Sequence, residues 1–151
     1  MRNLERAFLI ITLLLVSGCS TSFNRKWEAA REVSTTPTDL TGAWEGFWRS
    51  RENNHEGPLR CVVTPNAHTP GAYDFHYWAQ WGIFRGDFET TYPVRSDGPK
   101  RWAFDGESDL GWLGGIYRHR GQATPEQFSA WFSSPTRGDR GLMRMSRPAS
   151  D

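Results

Sequence analysis

Short runs of alternating apolar and polar residues, separated by turn-forming clusters, dominate the chain from residue 40 onward. Clusters such as Gly57-Pro58 and Asp97-Gly98-Pro99 interrupt the runs, and strict alternation sends successive side chains to opposite faces of a β-strand. The region contains no long run with the spacing of an amphipathic helix. The predicted strands are Gly42–Ser50, Leu59–Thr64, Ala72–Gln80, Ile83–Val94, Arg101–Glu107, Ile116–Arg120, Gln127–Ser133 and Gly141–Arg147.

About eight short strands at hairpin spacing predict an all-β fold: a single small antiparallel barrel, with a β-sandwich as the alternative. Period two gives each strand one apolar face, for example Trp44 with Trp48 and Phe75 with Tyr77. Glycines at 46, 86 and 106 interrupt strands, which favours the tight coiling of a closed barrel. Eight Trp, nine Phe and four Tyr in 151 residues can fill one such core. We expect a packed core rather than a hollow one, because an eight-strand barrel is only just wide enough for side chains.

The first nineteen residues have the features of a secretion signal. A charged start is followed by Ala7–Val16, ten residues with one polar member. A membrane-spanning helix needs about 20 apolar residues, so this run has the length of a signal-peptide core. An uncleaved signal anchor is the alternative.

The segment Val16-Ser17-Gly18-Cys19 resembles the lipobox of bacterial lipoproteins. The resemblance implies cleavage before Cys19, diacylglycerol on its sulfur and often a further acyl chain such as palmitate on its new amino group. Ser20 resembles the class that is exported to the outer membrane. We therefore expect a lipid-anchored protein of the bacterial cell envelope, held at the periplasmic face of the outer membrane, with the inner membrane as the alternative.

The chain is then divided into three parts. Residues 1–18 are the cleaved signal peptide, residues 19–40 are the lipidated N-terminus with a short helix and linker, and residues 41–148 are the barrel domain. The helix is predicted from an Asn24 cap through about Val33, with Trp27, Ala30 and Val33 on one stripe. This part is expected to act as a tether.

The strand opening Leu40-Thr41-Gly42-Ala43-Trp44 resembles the Gly-x-Trp start of lipocalin-like and avidin-like barrels. That resemblance implies an up-and-down barrel with Trp44 plugging one end. It also implies a carrier of small hydrophobic ligands as one function. The residues predicted to surround the ligand are Trp44, Trp48, Tyr73, Tyr77 and Trp102.

Charge and motif content argue against several other classes of protein. Without residues 1–18 the chain carries sixteen basic and sixteen acidic residues, so no basic excess points to nucleic acid. Asp105, Glu107 and Asp109 have the spacing of a calcium loop but lack its glycine and final carboxylate. Ser108 is assigned to a turn, because its flanking glycines are too far apart for a nucleophile elbow. We predict no cofactor, no metal site and no catalytic residue.

Three functions remain open. The first is a non-enzymatic envelope lipoprotein that binds an unknown protein partner through outward aromatics, with Phe47, His76, Trp78 and Trp131 as the interaction surface. The second is the small-ligand carrier, and the third is an envelope hydrolase that uses His76 or His119, both expected to face outward. Cys61 is predicted to be a small buried apolar residue.

Overall fold

Eight antiparallel strands form a closed barrel in the computed structural model, which describes residues 22–32 and 39–149. Each strand pairs with the next along the chain, and the last closes on the first. The predicted all-β antiparallel barrel is therefore confirmed, and the sandwich alternative is wrong. The strands are β1 (Gly42–Ser50), β2 (Glu56–Pro65), β3 (Ala72–Trp81), β4 (Phe84–Ser96), β5 (Trp102–Asp109), β6 (Ile116–Ala123), β7 (Gln127–Ser134) and β8 (Asp139–Ser146).

Two helical segments accompany the barrel: α1 over residues 22–32 and the single turn α2 over Gly111–Gly114. The predicted Asn24 cap is wrong, because Asn24 lies inside α1. Two aromatic side chains four residues apart, Phe23 and Trp27, are buried at 0% and 3% exposure. These two side chains hold the helix against the barrel. The predicted stripe residue Val33 and the predicted lipid-attachment residue Cys19 lie outside the described residues.

Helix α1 packs on the outer face of β1, β2 and β3. Phe23 and Trp27 form a buried cluster with Ala43 and Val62, against which Trp78 also packs. The Trp27 indole donates a hydrogen bond of 3.3 Å to the Trp44 carbonyl. The helical part of the expected tether is thus packed against the barrel. In the part of the chain that the structure describes, no helix has the length and hydropathy needed to cross a membrane.

The inward faces follow the predicted alternation on most strands. Close packing explains why two of the three predicted strand glycines carry no side chain. A Cβ at Gly46 would overlap the Arg144 carbonyl oxygen, and one at Gly106 would overlap the Tyr92 ring. Gly86 has room for a side chain. The buried core includes Trp44, Leu59, Cys61, Val63, Phe75, Tyr77, Tyr92, Phe104, Phe128, Phe132, Met143 and Met145.

One end of the barrel, which we call the closed end, is capped by Trp44. Its side chain is fully buried, as expected for a plug, and its indole donates to the Leu40 carbonyl at 2.9 Å. The Arg147 guanidinium lies 3.8 Å from the Trp44 ring centroid and donates to the carbonyl oxygens of Thr41 and Asp39 at 2.8 and 2.9 Å. Burial lowers the pKa of Arg147 to about 10, so the cap stays charged at neutral pH.

Candidate functional site: an apolar cup at the open end

The opposite end of the barrel, at which one turn connects β1 to β2 and another connects β3 to β4, contains a cavity of about 610 Å³. We call this cavity the cup. The prediction of a packed core is wrong for this half of the barrel. Apolar side chains form most of the wall: Trp48, Leu59, Ala79, Phe88, Tyr117, Phe132 and Met143. The mouth is bounded by Asn53, His55, Trp81, Phe84, Leu110 and Asp139.

His119 is the polar residue at the inner part of the cup. It lines the cavity and is 3% exposed. The prediction that it faces outward is wrong, because β6 turns the alternating set Tyr117, His119, Gly121 and Ala123 toward the interior. The outward set contains Arg118, Arg120 and Gln122, which suit solvent.

A hydrogen-bond network holds the His119 ring. The Tyr92 hydroxyl lies 2.6 Å from His119 Nδ1 and 2.8 Å from Ser108 Oγ, and Ser108 Oγ lies 3.3 Å from the same nitrogen. The assignment of Ser108 to a turn is therefore wrong, since it points inward from β5. Among the described residues no hydrogen bond occupies His119 Nε2, which leaves one polar atom of the ring available.

Burial determines the charge of these groups. Desolvation lowers the pKa of His119 to about 4, so its imidazole is neutral at pH 7. Desolvation raises the pKa of Tyr92 to about 12, although bonds to Ser108 and Thr90 act in the opposite direction. The inner part of the cup is thus uncharged at neutral pH.

Tyr77 lies next to this network and has an unsatisfied hydroxyl. Its ring stacks on Phe88 at 5.1 Å and on His119 at 6.3 Å between centroids. Within the described part of the chain the hydroxyl is buried without a hydrogen-bond partner, and desolvation raises the pKa of Tyr77 well above its usual value. Cys61, opposite Tyr77 on β2, is a free thiol at 0% exposure, and its burial confirms the predicted apolar role.

The network does not have the arrangement of a hydrolase site. Ser108 is 4% exposed and contacts Nδ1, on the opposite side of the imidazole from the available Nε2. No carboxylate of the described residues hydrogen-bonds to His119. Without a reachable nucleophile and an orienting acid, general-base activation of Ser108 has no support. A neutral imidazole held in one orientation favours hydrogen bonding to a bound molecule.

The five residues predicted to surround a ligand are divided between the two ends. Trp48 lines the cup, and Tyr77 stacks beneath two of its lining side chains. Trp44 fills the closed end, where the partly buried Tyr73 and Trp102 also pack against the core. Alternation identified the inward face but carried no information on which end stays open.

The predicted interaction surface is also divided. Phe47 and Trp131 are exposed at 38% and 52%. His76 and Trp78 do face outward, but α1 covers them: the Phe23 ring lies 5.0 Å from the His76 ring in an edge-on contact. His76 Nε2 lies 2.6 Å from Asp87, so this histidine belongs to a polar cluster under the helix.

Sequence reasoning missed Tyr92, Phe88 and Phe132 as site residues, and it considered His119 only as an outward-facing hydrolase residue. A signal for His119 was present, since extending the alternation of β6 through Gly121 and Ala123 aligns it with small inward residues. In the described ranges no three His, Cys, Asp or Glu side chains are grouped as metal ligands. Asp105 and Glu107 face outward and pair with Arg95 and Arg118 at 2.8 Å each.

Comparisons with known proteins add little to this description. No family model matches the sequence, and no curated protein matches it. Among solved structures the chain is similar to a protein from the de novo design of a fluorescence-activating β-barrel, with 20% identity and a TM-score of 0.48. That match covers 72% of this chain and 94% of the designed one. A likeness at this level says nothing about the ligand or activity of this chain.

Proposed function

We propose that this protein is a lipid-anchored envelope protein whose barrel binds a small neutral apolar molecule in the cup. The observation that carries the proposal is the open apolar cavity of about 610 Å³ with an available polar atom at its inner part, Nε2 of His119. Ligand sites are typically concave, mostly apolar and on the order of 300–1,000 Å³, with a few placed polar groups. The cup has each of these properties.

The charges around the cup favour a neutral ligand over an anionic one. None of the residues that line it is Lys or Arg, and His119 is neutral at pH 7 because its pKa is lowered to about 4. Asp139 adds a carboxylate at the mouth. A fatty-acid carboxylate buried here would have no cation to pair with, which is costly. A hydroxyl or carbonyl oxygen can instead hydrogen-bond with Nε2.

Anchoring is supported by the N-terminal sequence. The lipobox-like segment ends at Cys19, three positions before Ser22, where the described part of α1 begins. Two or three acyl chains would hold the protein stably at a membrane, since each buried CH₂ contributes about 0.8 kcal/mol. Metabolic labelling with palmitate should mark the wild type and not Cys19→Ser. Equal labelling of the two would refute the anchor.

Ligand class is tested by fluorescence quenching with two brominated probes. Every described contact lies within residues 22–149, so a form beginning at Ser20 keeps the whole barrel. Trp48 and Trp81 line the cup, and 9,10-dibromooctadecanol should quench their emission saturably. At pH 7.5 we expect 9,10-dibromostearate to bind at least tenfold more weakly. Equal affinity for both, or no saturation with either, would contradict the proposal.

His119→Phe provides the matched variant, because it keeps a ring of similar size and removes Nε2. We expect affinity for the brominated alcohol to fall about tenfold, the effect of losing roughly one hydrogen bond. His68→Phe, in the exposed loop between β2 and β3, is the control and should bind as the wild type does. If His119→Phe binds as tightly as the control, Nε2 is not the polar contact.

A further inference from the structure

We propose that the turn between β3 and β4 inserts into the interface of a lipid bilayer and holds the mouth of the cup against the membrane. This turn, which we call the hairpin tip, consists of Trp81, Gly82, Ile83 and Phe84. Its three large side chains are exposed at 48%, 91% and 63%. Three exposed apolar residues within four positions form a continuous patch, which marks a partner surface.

The geometry of the tip does not require these residues. Trp81 pairs with Phe84 across the hairpin, and Gly82 supplies the positive φ of +60° that a two-residue turn of this kind needs at its first central position. Ile83 occupies the second central position, where polar residues are equally compatible with the turn. The Gln80 side chain donates to the Gly82 carbonyl at 3.1 Å and stiffens the tip. Ile83 is therefore displayed by a well-formed turn and has no role in the barrel core.

The proposed anchor places a membrane beside the same two strands. Cys19 precedes Ser22 by three residues, a span of at most about 11 Å. From there α1 meets β3 and β4: Phe23 packs on His76, and Lys26 Nζ lies 3.0 Å from Glu89. His76 and the tip are five residues apart on β3, about 17 Å. A bilayer that holds the acyl chains of Cys19 is thus within reach of the tip.

A membrane explains why this patch is both apolar and exposed, because the hairpin tip also lines the mouth of the cup. Trp81 and Phe84 line the cavity, so their insertion would put the apolar mouth next to the acyl chains. A neutral apolar molecule could then pass between bilayer and cup without crossing water. Trp is well suited to this position, since its ring is apolar and its indole N–H can remain among the headgroups. This inference rests on the proposed anchor and does not depend on which ligand the cup takes.

The test uses the full chain in vesicles of phosphatidylethanolamine and phosphatidylglycerol at three to one. Ile83→Cys and, as the matched control, Ala67→Cys are each labelled with an environment-sensitive nitrobenzoxadiazole fluorophore. Ala67 is exposed in the loop between β2 and β3, at the closed end. Cys61 is fully buried, so the unsubstituted chain shows the background labelling. Vesicles containing brominated phosphatidylcholine then report contact with acyl chains.

We expect a blue-shifted emission and at least twofold quenching by the brominated lipid at position 83, with neither effect at position 67. Flotation of the same samples on a density gradient reports the anchor separately. If the chain floats while the probe at position 83 stays in water, the tip proposal is overturned and the anchor stands. If the chain does not float, both the anchor and the tip proposal are overturned.

Discussion

The two ends of this barrel are built from the same kind of alternating strand and have opposite properties. At the closed end Trp44 is fully buried beneath the Arg147 guanidinium, which donates to carbonyl oxygens from the chain segment before β1. At the open end Trp81 and Phe84 are exposed around a cavity of about 610 Å³. Each strand has two neighbours in the closed barrel, but β4 and β5 pair only where Val94–Ser96 meets Trp102–Phe104, near the closed end. The two ends therefore differ both in their side chains and in the pairing of this one seam.

The comparison separates stability from binding. At the closed end the Trp44 indole and the Arg147 guanidinium are hydrogen-bonded, while the Thr41 hydroxyl is buried without a partner among the described residues. At the open end neither His119 Nε2 nor the buried Tyr77 hydroxyl beside it has a hydrogen-bond partner among the described residues. Unpartnered buried hydroxyls thus occur near both ends, and the open end differs in that His119 lines a cavity. Substitutions at the two ends should therefore affect different measurements.

The largest difference is expected from the same substitution at both ends. Trp44→Ala removes a fully buried ring and should lower the free energy of unfolding by about 4 kcal/mol. Trp81→Ala removes a half-exposed ring and should cost less than about 1 kcal/mol. Urea denaturation followed by circular dichroism measures both. Similar losses for the two variants would show that the open end also carries the stability of the barrel.

Acid should destabilise the protein through His119. The pKa of His119 is 6.5 in the unfolded state and about 4 in the folded state. At a pH between these two values, the unfolded protein binds a proton on His119 that the folded protein does not. Stability therefore falls as pH decreases through this window, by about 3 kcal/mol in total, and the contribution is constant below pH 4.

The measurement is the difference between wild type and His119→Phe in urea denaturation at several pH values. This difference should change by about 3 kcal/mol between pH 7 and pH 4. His68→Phe should keep the wild-type slope. An unchanged difference across the window would mean that the His119 imidazole is not buried in the neutral form.

Arginines at the two ends provide a smaller contrast. Arg147→Leu keeps the aliphatic packing over Trp44 but removes four hydrogen bonds to carbonyl oxygens, and should cost about 2 kcal/mol. Arg140 at the open end pairs with Glu52 while largely exposed, and Arg140→Leu should leave stability unchanged. Thermal unfolding of the two variants tests this, and an equal loss would remove the assigned role of the Arg147 cap.

Two tyrosines give the smallest and most local test. Tyr77→Phe removes a hydroxyl that has no partner, so stability should stay the same or rise by up to about 1 kcal/mol. Tyr92→Phe removes the hydroxyl that bonds to both Ser108 and His119, and should cost about 1–2 kcal/mol. A loss on Tyr77→Phe equal to that on Tyr92→Phe would show that the Tyr77 hydroxyl is satisfied in solution, for example by a buried water.

Much of the fold could be predicted because it depends on local pattern. The alternation around Trp44 and Phe75 identified inward faces, and hairpin spacing predicted a small antiparallel barrel. On β6 the same reasoning fails for His119, because the predicted strand ends at Arg120 and omits the small inward residues Gly121 and Ala123. The prediction of five ligand-binding aromatic residues also combined residues from both ends of the barrel. Alternation shows which face of the strand a residue occupies, but not its position along the barrel axis.

The sequence by itself determined the strand content, the antiparallel all-β class and the burial of Trp44 and Cys61, because these follow from period-two patterning and turn chemistry between neighbouring residues. Only the tertiary structure decided that the barrel is packed at one end and open at the other, that α1 covers His76 and Trp78, and that Tyr92, Ser108 and His119 meet. The reason is physical. Those features depend on which side chains from distant strands reach the same point on the barrel axis, and that is set by the register of eight strands together.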